Sequence, residues 1–137
     1  MLFDFIRLLQ MSKLNTDIIA IKKSKLNRLS VPTTEGFEFV DATDIDYLEA
    51  EINYTHIYLS KNKKITSSKN LGYYEDELKT EPFIRIHNST IVNLNKVKSY
   101  IRGDDGWVIL LTGKTLKVSK SKKDDLLFFF QEKKAKK

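Results

Sequence analysis

The feature that most limits how this chain can fold is a change of hydrophobic period near residue 29. Before it, Leu2, Ile6 and Leu9, then Met11, Leu14, Ile18 and Ile21, recur at three- and four-residue spacing with no Pro or Gly between them, which predicts an amphipathic helix over residues 2–28. After it, apolar and polar residues alternate in short runs cut by turn residues. Leu29–Thr33 and Phe37–Val40 flank the turn Thr34–Gly36. Ile45–Ile52 is strand-like, the polar Asn53–Thr55 forms a break, and His56–Ser60 resumes the pattern. Lys61–Lys64 then turns into Ile65–Ser67. Val97–Arg102 and Trp107–Leu111 flank Gly103–Gly106, and Thr112–Lys114 leads into Thr115–Val118. Many short strands joined by Gly-containing turns imply a mostly β, antiparallel domain. Two further helices are expected: a short internal one after the cap Asn70, over Leu71–Lys79 and stopped by Pro82, and a C-terminal one over Asp124–Gln131. The expected organisation is a helical extension at 1–28, the β domain at 29–131 and a basic tail at 132–137.

A chain of 137 residues suits one domain and can bury a core without covalent staples. It has no cysteine, which excludes disulfides and cysteine–zinc sites and fits a reducing cytoplasm. No apolar run approaches a membrane span, and Asp4 and Arg7 interrupt the only candidate leader. The net charge of +6 is unevenly spread: residues 1–30 carry +4, residues 31–60 carry −7 with no Lys or Arg, and residues 61–137 carry +9. Such asymmetry points to a polyanion-facing side, with nucleic acid the first partner to consider.

Catalytic chemistry is hard to assemble from these residues. There is no phosphate-binding Gly loop, no nucleophile elbow and no His-Glu-x-x-His motif. The two histidines, His56 and His87, neighbour basic or amide residues in the sequence, so neither a metal nor another cofactor is expected. The acidic run Asp41, Asp44, Asp46, Glu49 and Glu51 reads as a solvated sheet edge rather than an acid–base pair. An enzyme acting on a small molecule is therefore not expected. What remains is three polar stretches where the strand pattern breaks: Asn53–His56, His87–Ser89 and Ser119–Lys123. Asn, His and Lys can reach base edges, and Ser and Lys can reach phosphates, although the same residues also make ordinary turns.

Three runs carry a family resemblance: Val31–Leu59 (VPTTEGFEFVDATDIDYLEAEINYTHIYL), Phe83–Val97 (FIRIHNSTIVNLNKV) and Leu116–Lys123 (LKVSKSKK). In order and spacing they resemble the LytTR-type DNA-binding domain over about residues 29–130. The resemblance implies an elongated antiparallel β-sandwich of small packed sheets that reads duplex DNA with loops in successive major grooves. Its targets would be paired direct repeats upstream of promoters, bent on binding. The base-contacting positions would be His56, Asn88 and Lys120; many members carry Arg at the last two, so a different base preference is expected here. Arg85, Ser89, Ser119, Lys122 and Lys123 would contact phosphates, while His87 would brace its turn from beneath.

Members of this family are mostly bacterial two-component response regulators, with a receiver domain ahead of the DNA-binding domain. Residues 1–28 hold no βα repeat, so they would be either a receiver's last helix with its linker or the start of a stand-alone regulator. The stripe Met11, Leu14, Ile18, Ile21 is compatible with a homodimer seam. Phe3, Phe5 and the basic residues of that helix also suit an alternative role, a protein- or membrane-surface interaction module.

Overall fold

The computed structural model describes residues 28–135, with side chains described as far as Phe130. The helix expected over residues 2–28, its dimer seam and its membrane-surface alternative lie outside the described residues, except for Arg28, which begins a strand rather than ending a helix.

Among the described residues, ten strands form three antiparallel sheets. β1 (Arg28–Thr33) and β2 (Gly36–Asp41) make a two-stranded ribbon. The central sheet has the order β5-β4-β3-β7-β6, from β3 (Ile45–Glu51), β4 (Tyr54–Leu59), β5 (Lys63–Ser67), β6 (Phe83–His87) and β7 (Thr90–Asn93). The third sheet, β10-β9-β8, contains β8 (Val97–Ile101), β9 (Gly106–Leu110) and β10 (Thr115–Val118). Helix α1 (Leu71–Glu77) is capped by Asn70, whose side-chain oxygen accepts the Tyr73 N–H at 3.0 Å. Helix α2 runs from Lys120 to Ala135.

Strand alternation gives the central sheet two apolar faces. Ile45, Leu48, Ile57, Leu59, Ile65 and Ile91 pack with Leu29 and Val31 of the ribbon and with Leu71, Tyr74 and Leu78 from α1 and its C-terminal end. The opposite face, with Tyr47, Ile86 and Val92, packs on Val108, Leu110, Leu116 and Val118 of the third sheet and on Leu126 of α2. The fold is thus layered on both sides of one sheet.

Three expectations change. The acidic stretch is not a sheet edge: β3 is the middle strand of five, and Asp46 is buried at a bulge, bonded to Ser60 Oγ (3.4 Å) with Lys96 Nζ at 3.9 Å. Alternation alone does not distinguish an edge from a centre, since β7 pairs with β3 from elsewhere in the chain. The break after β3 is only Ile52–Asn53, so Tyr54 and Thr55 already belong to β4, ahead of His56. Finally, Lys120–Lys123 is not a turn before a helix but the first turn of α2. The basic residues masked this start, because cations oppose the dipole at a helix N-terminus.

Candidate nucleic-acid interface

Strand register builds one end of the domain. Thr66 pairs with His56, His56 with Glu49, Glu49 with Thr90, and Thr90 with His87. These pairs form a polar row across all five strands of the central sheet. His56 and His87 stand three strand steps apart, roughly 14 Å at the usual strand spacing.

His56 is half-buried and engaged at both ring nitrogens. Nδ1 lies 2.9 Å from Thr66 Oγ1, and Nε2 meets the Glu51 carboxylate. That hydrogen bond, then the charge of His56, holds the Glu51 carboxyl below the usual carboxylate range, with Lys64 adding to the effect. The pairing was hidden in the sequence. Glu51 and His56 are five residues apart, and only a two-residue hairpin loop at 52–53 folds one onto the other.

The β6–β7 turn presents Asn88, which is exposed, from a closely braced loop. The Ser89 N–H donates to His87 Nδ1 at 3.2 Å, and Ser89 Oγ lies 3.1 Å from the same nitrogen. Ala50 of β3 donates its N–H to the Ser89 carbonyl at 2.9 Å, fixing the turn to the central strand. His87 therefore braces the turn, as expected. Arg85 faces the opposite side of β6 and wraps around. Its Nη2 donates to the Asn88 carbonyl (2.5 Å), its Nε to the His87 carbonyl (3.4 Å) and its Nη1 to Glu75 of α1 (2.8 Å). The guanidinium is thus spent within the fold.

A bulge at Ile86 joins the third polar stretch to this turn. Ile86 is skipped in the β6–β7 ladder, and its carbonyl accepts the Ser119 N–H at 2.8 Å. The start of α2 is thereby tied two residues before Asn88. Lys120 is exposed there, Lys122 and Lys123 are half-buried, and Lys123 Nζ donates to the Gly103 carbonyl at 3.2 Å. Ser119 Oγ lies 3.3 Å from Ser121 Oγ, and the Ser119 carbonyl accepts the N–H groups of Lys122 and Lys123. A helix N-terminus crowded with Lys favours an anion from both its dipole and its side chains. The start of α2 is therefore tied to the strand that leads into the Asn88 turn, and His56 stands in the same sheet as that turn, three strands away.

Two groups escaped sequence reading. Tyr47 and Tyr58 stack at 4.4 Å between centroids, with Lys114 Nζ over the first ring and Lys64 Nζ over the second, each at 6.0 Å. Burial, then the Tyr58, Glu49 and Asp46 oxygens, push the Tyr47 hydroxyl up to about 12. The other group is the β3–β4 tip, where Ile52 is 87% exposed and Tyr54 47%. A one-sequence reading shows alternation but not how far a hairpin projects. Among the described residues, no His, Asp and Glu cluster is arranged to hold a metal, and no helix is long and apolar enough to cross a membrane.

The fold and this polar, Lys-rich end define a mostly β domain with turns and one helix start gathered at one end. Comparisons with known proteins place it further. The profile of the LytTr DNA-binding domain matches residues 35–130. The LytTr DNA-binding domain of a Bacillus cereus protein superposes with a TM-score of 0.63 at 27% identity, covering 72% of this chain and 92% of that one. The sensory transduction protein LytT of Oceanobacillus iheyensis is 30% identical over 78 residues, 57% of this chain and 32% of that relative, so the chain spans about a third of its length. The chain belongs to the LytTR DNA-binding domain family.

Proposed function

We propose that this domain reads specific duplex DNA sequences as the output of a cytoplasmic transcriptional regulator of the response-regulator type, with base contacts from His56, Asn88 and Lys120. The observation that supports this reading is a set of links at one end of the sheet: one polar row joins His56 to the Asn88 turn, and the Ser119–Ile86 bond ties the start of α2, which carries Lys120, to the strand before that turn. Asn88 is presented from a rigid loop, as bidentate recognition of a base edge requires, and its paired donor and acceptor match adenine. Ser89 of the same turn, and Ser119, Lys122 and Lys123 at the start of α2, are assigned as phosphate contacts. Arg85 acts instead through the turn, because its donors are engaged by Asn88, His87 and Glu75. We assign paired direct repeats upstream of promoters as the targets.

Selecting bound sites from a random duplex pool tests the reading and supplies a preferred site. On that site Asn88→Ala should cost about 1–3 kcal/mol, and much less on random duplex. Lys122→Ala should weaken both alike and make the slope of log affinity against log salt shallower by roughly 0.9. A pool that yields no preferred sequence refutes specific reading; equal losses for Asn88→Ala on both duplexes refute its base contact.

A further inference from the structure

The β3–β4 tip carries a conformational cost that its own fold does not explain. Glu51 pairs with Tyr54, leaving Ile52 and Asn53 as a two-residue loop. Ile52 has φ 57°, whereas Asn53 is not among the residues at positive φ. In such loops the first position is the usual place for glycine. A β-branched side chain there is strained, since its Cβ crowds the backbone. Lys61 and Asn62 also take positive φ, but neither is β-branched. The Ile52 side chain gains no burial in return, being 87% exposed. Strain held at an exposed apolar residue without packing is a mark of a site with another use.

Its position shows what that use can be. Counting pairs from the polar row, Glu49–His56 is followed by Ala50–Thr55 and Glu51–Tyr54, and then comes the tip. At the rise of a strand the tip stands about 10 Å beyond the row, whereas Asn88 and Ser89 stand only about 3 Å beyond it. Along the strand direction, the exposed apolar Ile52 therefore stands farther out than either His56 or Asn88. Tyr54 follows it on the same hairpin, half-exposed and on the face of His56.

We propose that Ile52 is a specificity-determining residue that enters the major groove and packs against the 5-methyl groups of thymines next to the base read by His56. This inference rests on the DNA-reading function above. Thymine is the base that offers an apolar group in that groove, and an aliphatic side chain is its complement. A rigid, narrow two-residue tip fits a groove about 12 Å wide without rearrangement.

The test replaces Ile52 with Gly, which suits positive φ and removes the side chain, and with Asn, which tolerates that conformation and is polar. Binding is measured on the selected site and on versions in which single thymines are changed to deoxyuridine, which deletes only the methyl. Losing one buried methyl-sized contact is worth roughly fourfold in affinity. The wild-type protein should lose about that much at one or two thymines, and both variants should be indifferent there while already weaker on the intact site. The melting temperature of Ile52→Gly should rise by a few degrees, opposite in sign to its DNA affinity. A purely structural Ile52 predicts that stability and binding move together. Unchanged affinity in both variants, or thymine-to-deoxyuridine losses that persist in them, overturns the proposal while leaving the reading by Asn88 intact. A pool with no preferred sequence overturns both.

Discussion

Arg85 separates two mechanisms sharply, because its sequence position and its geometry point to different roles. A basic residue three before Asn88 suggests a phosphate contact, whereas the structure shows a brace under the turn. Three contacts would be lost in Arg85→Ala. The bond to the Asn88 carbonyl at 2.5 Å is short and charge-assisted, so it is worth about 1.5–3 kcal/mol. The 3.4 Å bond to the His87 carbonyl adds little, and the pair with the half-exposed Glu75 is worth under about 1 kcal/mol after solvent screening. Two anchors would remain, Ser89 N–H to His87 and Ala50 N–H to the Ser89 carbonyl. Only part of the loss then becomes disorder of Asn88, and we expect about tenfold weaker binding to the preferred site, about 1.4 kcal/mol. Fluorescence anisotropy on preferred and random duplexes across a salt series reads the outcome. A brace predicts a loss concentrated on the preferred site, an unchanged salt slope, and no rescue by Arg85→Lys, which keeps the charge but lacks the planar fork. A slope shallower by roughly 0.9, equal loss on both duplexes and rescue by Lys would refute the brace and restore a phosphate contact.

Two further outcomes follow from the same geometry. Glu51→Gln replaces the carboxylate at His56 Nε2 with a neutral amide at the end of the sheet assigned to DNA, so affinity should rise on any duplex and rise further on the preferred site; weaker binding would show that the Glu51 carboxylate positions His56 for contact. Burial pushes the Tyr74 hydroxyl up to about 12, with Ser67 Oγ at 2.6 Å partly opposing it. An unfolded tyrosine ionises near its ordinary value of about 10. The neutral folded form therefore contributes its full stability below pH 10, and that contribution is lost as pH rises from 10 to about 12. Urea melts of Tyr74→Phe should show a flatter alkaline decline than wild type, and identical declines would contradict this.

How much the sequence disclosed depends on the distance over which each feature is determined. The hairpins at Thr34–Glu35 and 102–105, the Asn70 cap and the break at His87–Ser89 are set by neighbouring residues, and they are where local turn and cap chemistry puts them. The central place of β3, the burial of Asp46 and the pairing of Glu51 with His56 depend on which strands meet, and no local pattern specifies that. The start of α2 was obscured for a different reason: Lys120, Lys122 and Lys123 are poor residues for a helix N-terminus by dipole alone, and a bond from a distant strand, Ser119 to Ile86, fixes the helix there. Besides the buried Asp46 and the positive φ of Lys61 and Asn62, several departures from local preference share one place. Lys at a helix start, Ile at positive φ, an Arg turned back on its own loop and a carboxylate folded onto a histidine all lie at the same end of the central sheet. The first two are unfavourable in the free protein, and anionic duplex DNA would relieve the first directly, by bringing phosphate to cations and free N–H groups. Departures from local preference concentrated at one end are what a binding surface produces, since selection there acts on the complex and not on the fold alone.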